Sequence, residues 1–188
     1  MAELLELHGR LQDRFGELVH SVGPGDWARP TPCVEWDVRA LVRHLVGEQL
    51  WAAPLLGGES VDEVGDRFAG DPLGDDPVAA WEAAAHASRA AVTEAGALDR
   101  TVRLSRGPTP ARDYVEEMTF DLLVHGWDLA RGLGRDTALD AEAVDHVLAR
   151  MQPRAAELAG SGLFDEAVEV PDNADPQTKL LALTGRHA

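Results

Sequence analysis

Apolar residues in this chain recur every three or four positions and rarely every two, a period that admits helices and little else. Leu4, Leu7, Leu11, Phe15, Leu18 and Val22 form one such stripe, stopped by the "GPG" of 23–25. Asp37 then stands as the N-cap of a second helix that holds Val38, Leu41, Leu45 and Trp51 and ends before Pro54. Residues 54–75 are rich in Gly and Asp and read as a long loop with one helical turn at 60–66. A third helix follows Asp76, with Pro77 at its first position. Val102 and Leu104 alternate with arginine, which hints at a short extended piece. Thr109 and Pro110 start a fourth helix running to about Gly132. A fifth begins after Asp140 and is kinked or ended at Pro153. Asp175, Pro176 and Gly185 cap, lead and stop a last short helix. The expectation is an all-α fold: four long helices in a bundle with one long crossover connection and a small C-terminal appendage. Residues 1–158 would form the bundle and 159–188 an extension packed on it, one domain overall.

Charge removes several function classes. Against 33 acidic residues stand 17 basic ones, a formal net of -16. Such a surface repels phosphate backbones and anionic lipid, so nucleic acid and membrane surfaces are not expected partners. No apolar run of membrane-spanning length occurs, and no basic leader opens the chain, so the expected location is the cytoplasm. One cysteine, Cys33, leaves no internal disulfide framework. An Ala-rich bundle with five tryptophans is compatible with a homodimer.

The chemistry lies in "FDLLVHGWDLARG", 120–132, where acid, imidazole and acid share a helix otherwise built of Leu, Val, Trp and Ala. Burying them is costly unless something holds their polar atoms. Asp121 and His125 project from adjacent turns to one side. On the second helix His44 sits on the stripe Asp37, Leu41, His44, Glu48, Trp51. Two ligands from one helix and a third from a facing helix make a three-ligand site with an open position, as a catalytic zinc needs. The same residues also suit a metal-free buried polar network, and spacing alone does not separate the two.

The pair "TPCVEWDVRALVRHLVGEQLW" (31–51) and "DLLVHGWDLARGLG" (121–134) resembles the N-terminal domain of mycothiol-dependent maleylpyruvate isomerases. It is still more similar to the actinobacterial metal-binding relatives of that domain, in the DinB/YfiT-like superfamily, and the ending "DPQTKLLALTGR" is typical of them. The resemblance implies one divalent metal, zinc first and nickel or iron next, held by His44, Asp121 and His125. It also implies mycothiol or another small thiol at the open position and a small electrophile as substrate, hence S-transfer or isomerisation. The family's acid is usually Glu where this chain has Asp121. The isomerases also carry a further C-terminal domain that this sequence does not show, so metal binding is implied more directly than maleylpyruvate isomerisation. A non-catalytic metal-binding or sensing protein is the alternative.

Other positions carry weaker expectations. Glu48, one turn below His44, is the candidate catalytic base, with a fourth ligand, a partner that fixes the His44 imidazole, or a solvated residue near the helix end as alternatives. Asp128 either bonds a ligand histidine or pairs with Arg131, and a structural role is favoured. Cys33 reads as a packed thiol, His8 as a core-edge histidine, and His20, His86, His146 and His187 as surface residues. The tryptophans read as core and pocket walls. Arg100, Arg103 and Arg106 read as a solvated strand face, with an anionic substrate at the pocket mouth as the alternative.

Overall fold

A computed structural model describes residues 2–155 and 166–188. The chain divides into two compact units, Met1–Asp136 and Thr137–Ala188. The expected boundary at 158/159 lies outside the described residues.

The first unit is helical apart from one hairpin. Helices α1 (Ala2–His20), α2 (Val38–Leu56), α3 (Val61–Val64), α4 (Pro77–Thr93) and α5 (Ala111–Leu133) follow in order, with strands β1 (Thr101–Leu104) and β2 (Gly107–Pro110) between α4 and α5. Local chemistry sets the helix starts. The side chains of Asp37 and Asp76 accept from Ala40 N and Ala79 N, each satisfying a backbone donor that the first turn leaves open. Ser60 and Glu63 close a reciprocal capping box around α3.

Helix α2 packs on α4, α1 on α5, α1 on α4 and α2 on α5. The stripe that begins with Leu4, Leu7, Leu11, Phe15 and Leu18 is buried, as the period requires. Gly16 lets α1 approach α4 closely, since a Cβ there would meet the Trp81 indole nitrogen at 3.0 Å. A core cluster joins Leu4, Leu55, Leu56, Val92, Val102, Val115 and Met118 from five of these elements.

Three features depart from the sequence expectation. The all-α reading misses a two-stranded antiparallel sheet in which Val102 faces Thr109 and both point inward. Thr109 and Pro110, expected to open the fourth helix, complete β2 instead, and the helix begins at Ala111. Prolines at 108 and 110 are tolerated because each strand of a lone hairpin has an open edge that needs no donor. Helix α2 also runs through Pro54 to Leu56 rather than stopping before it. A proline in the last turn forfeits one bond, and Gly57 N still closes on Ala53 O at 2.9 Å.

In the second unit, α6 (Ala141–Met151) and α7 (Pro176–Leu183) pack together. Asp140 and Asp175 cap them, accepting from Ala143 N and Thr178 N. Gln177 ties the segment before α6 to α7, accepting from Leu139 N at 2.9 Å and donating to Thr137 O at 3.0 Å. Beyond α6 a 3-10 turn, Gln152–Arg154, takes in Pro153. No helix among the described residues is long and apolar enough to cross a membrane.

Candidate metal centre

Helices α2 and α5 bring His44, Asp121 and His125 together. One ligand atom from each lies within 4.8 Å of the others. His44 Nε2 is 3.5 Å from Asp121 Oδ2, and the two imidazoles meet edge to face at 5.2 Å between centroids. Donors bound tetrahedrally at 2.0–2.2 Å stand about 3.4 Å apart, so the His44–Asp121 separation matches one edge of such a site. His44 and Asp121 are half-buried while His125 is only 5% exposed. The cluster therefore has a closed side and an open one.

Asp128, one turn beyond His125, is completely buried, and its Oδ2 lies 3.0 Å from His125 Nδ1. That bond places the proton on Nδ1 and leaves the Nε2 lone pair for a ligand role. Of the roles weighed for Asp128, the bond to His125, a candidate ligand, is present. Arg131 stacks over the Trp127 ring at 5.7 Å.

The loop from 21 to 37 covers this end of the cluster. It folds back tightly: Trp36 N donates to Cys33 O, and Thr31 Oγ1 donates to Trp36 O, both at 2.8 Å. It sits directly on α5, because a Cβ at Gly132 would lie 3.1 Å from Pro30 O. The Trp36 ring packs 4.7 Å from His44 and 5.5 Å from His125. Cys33 Sγ donates to Asp128 Oδ2 at 3.2 Å and lies 3.8 Å from His125 Nδ1. The sequence suggests a packed loop thiol at Cys33. No local signal reveals that it lies beside a histidine 92 positions later in the chain.

Carboxylates from α2 and α5 crowd together near His44. Burial, then the Asp121 carboxylate, pushes Glu48 up to about 7, with Glu117 adding to the rise and His44 opposing it. Burial lowers the His44 pKa, but the hydrogen bond and charge of Asp121, helped by Glu48, carry it above the usual histidine value. Tyr114 is raised by burial and by the same two glutamates. Carboxylates gathered around imidazole are a donor set a divalent cation fits in kind as well as in spacing.

The remaining candidates lie elsewhere. His8 belongs to neither three-residue ligand group among the described residues; it is buried, with Nδ1 3.0 Å from Thr119 Oγ1. His20, His86 and His187 are exposed, whereas His146 is half-buried. The arginines of 100–106 each meet an acid: Arg100 pairs with Glu94, Arg103 with Glu63 and Arg106 with Glu117. Trp81 and Trp127 are core residues and Trp36 is a wall of the site.

Comparison with known proteins agrees with the motif resemblance. The model of the mycothiol maleylpyruvate isomerase N-terminal domain matches residues 8–130. The uncharacterized proteins MT0763 and Rv0738 of Mycobacterium tuberculosis (strains CDC 1551 and H37Rv) are each 32% identical over 189 residues, covering 97% of both chains. No solved structure matches the chain.

Proposed function

The chain belongs to the mycothiol maleylpyruvate isomerase N-terminal domain family, and from that premise we propose a thiol-dependent metalloenzyme whose divalent ion is held by His44, Asp121 and His125. The observation that carries this reading is the convergence of those three ligand atoms within 4.8 Å from two separate helices. Zinc suits two imidazoles and a carboxylate, and nickel or iron would accept the same set. A divalent ion held by these residues would supply the Lewis acidity that lets a mycothiol-type thiol ionise at neutral pH.

The chain's own residues supply the rest. Asp128 fixes the His125 tautomer and ring orientation through Nδ1. Trp36 shields the two imidazoles on the loop side. Glu48 lies near His44 and Asp121, and its carboxylate is the group we assign to take a proton from an incoming thiol and return it to a product. The substrate class is a small electrophile, and the reaction S-transfer or isomerisation. The four helices α1, α2, α4 and α5 pack in a closed ring of neighbours. We read that ring as a DinB-like four-helix bundle whose crossover is the 57–76 segment.

Calorimetric titration of the zinc-loaded chain with mycothiol tests this reading. Binding in the parent and none in His44→Ala is expected. A chain that carries one zinc and takes up no mycothiol would leave a metal-binding protein without this chemistry.

A further inference from the structure

His125 has two ring nitrogens, and the proposed ion uses only one. The other, Nδ1, belongs to a second triangle with Cys33 and Asp128, whose ligand atoms also fall within 4.8 Å of one another. Its edges are 3.8 Å from Sγ to Nδ1, 3.2 Å from Sγ to Oδ2 and 3.0 Å from Nδ1 to Oδ2. Three donors at tetrahedral angles around one ion, with sulfur at about 2.3 Å and nitrogen and oxygen at about 2.0–2.2 Å, give edges of about 3.6, 3.6 and 3.4 Å. Each observed edge lies within about 0.4 Å of that figure, so small side-chain rotations would seat an ion. The three groups come from a loop and from adjacent turns of α5. The loop is pinned by its turn bonds and by close contact with Gly132, so the sulfur is already in place.

We infer that Cys33, His125 and Asp128 form a second cation position, specific for thiophilic ions and alternative to the His44–Asp121–His125 position. The donor chemistry sets the preference: thiolate selects soft ions such as cadmium, while a site of imidazole and carboxylate alone accepts harder ones. Exclusion follows from the shared ring. In the first position His125 carries its proton on Nδ1 and binds through Nε2. In the second it binds through Nδ1 and carries the proton on Nε2, so the lone pair needed by the first position is gone. The balance is simple: the Sγ–H bond breaks, that proton leaves to solvent, the imidazole changes tautomer and no redox change occurs. A thiophilic ion would thus dismantle the first position by turning one ligand away from it.

The test uses the full metal-stripped chain titrated with cadmium chloride, followed by the ultraviolet thiolate-to-cadmium charge-transfer absorption. Because the sequence holds one cysteine, that absorption reports on Cys33 alone. The band should grow and saturate near one cadmium per chain in the parent and in His44→Ala. It should vanish in Cys33→Ser and weaken at least about tenfold in apparent affinity in Asp128→Asn, all with unchanged circular dichroism. No band in the folded parent would overturn the inference. So would a band unaltered by Asp128→Asn, which marks a thiol acting alone, or one saturating at half an equivalent with doubled mass, which marks an ion shared between chains. This position does not require the first to exist. The parent band with no ion retained by Cys33→Ser would support the second position and refute the first.

Discussion

Two sets of polar side chains are built into α1, α2, α4 and α5, and they handle the cost of burial differently. In one, His8 bonds Thr119 at 3.0 Å and Gln12 donates to Gln49 at 2.7 Å, with Ser88 at 3.5 Å from the same amide nitrogen. All five residues are at most 2% exposed, and only Arg89, bonding Gln12 from the rim, carries charge. Thr119 spends its own hydroxyl hydrogen on Val115 O, so His8 donates from Nδ1. Burial, then the Arg89 charge, lowers its pKa to about 4. In the other set two imidazoles lie beside Asp121, with Glu48 and Glu117 near, and burial, Asp121 and Glu117 raise the Glu48 carboxyl. Uncharged donors and acceptors satisfy most of one another here, leaving only His8 Nε2 and Gln49 Nε2 of this set without a partner, whereas clustered carboxylates call for a cation. The histidines look alike in sequence, and their neighbours separate a structural histidine from a candidate ligand.

The contrast breaks most visibly under zinc. A ligand at about a thousandfold excess over its Kd stabilises the folded state by about 4 kcal/mol. Zinc should therefore raise the melting temperature of the parent chain and of a His8→Phe, Thr119→Val double variant, but not of His44→Ala. Equal shifts in all three would dissolve the distinction.

Acid should act on the other set. The folded pKa of His8 lies below that of the unfolded chain, so the unfolded state binds the proton first. Its contribution is fully present above about pH 6.5 and is lost as pH falls toward 4, worth about 3 kcal/mol. Denaturant titrations across that window should show a steeper loss in the parent than in the double variant. Parallel slopes would mean that His8 is not held neutral.

Two smaller effects sharpen the account. Asp128→Asn should weaken zinc binding by about 10- to 100-fold while leaving the melting temperature of the metal-free chain within a few degrees. Thr119→Val alone leaves the buried His8 donor without its acceptor and should cost about 1–3 kcal/mol, more than the double variant that replaces both partners. Chemical denaturation of the two variants side by side reads that difference.

Much of this was legible in the chain itself. His44, Asp121 and His125 sit where a helical period predicts, because i to i+4 spacing fixes direction without knowledge of the fold. Caps at Asp37, Asp76, Asp140 and Asp175 follow from one side chain and its own backbone. What sequence could not give depends on distant partners. Cys33 reaches Asp128 across 95 positions only because its loop folds back onto Gly132. Thr109 and Pro110 carry a helix-start signature, but pairing with β1 claims them first. His8 looks like a core-edge residue until Thr119 arrives from α5.

Elemental analysis of the tag-free protein beside its His125→Ala variant tests the central claim most directly. The account predicts about one divalent metal per parent chain and none retained at the α2–α5 site of the variant after dialysis. A folded parent that stays metal-free after reconstitution with zinc, nickel and iron would contradict it and make the cluster a hydrogen-bond network.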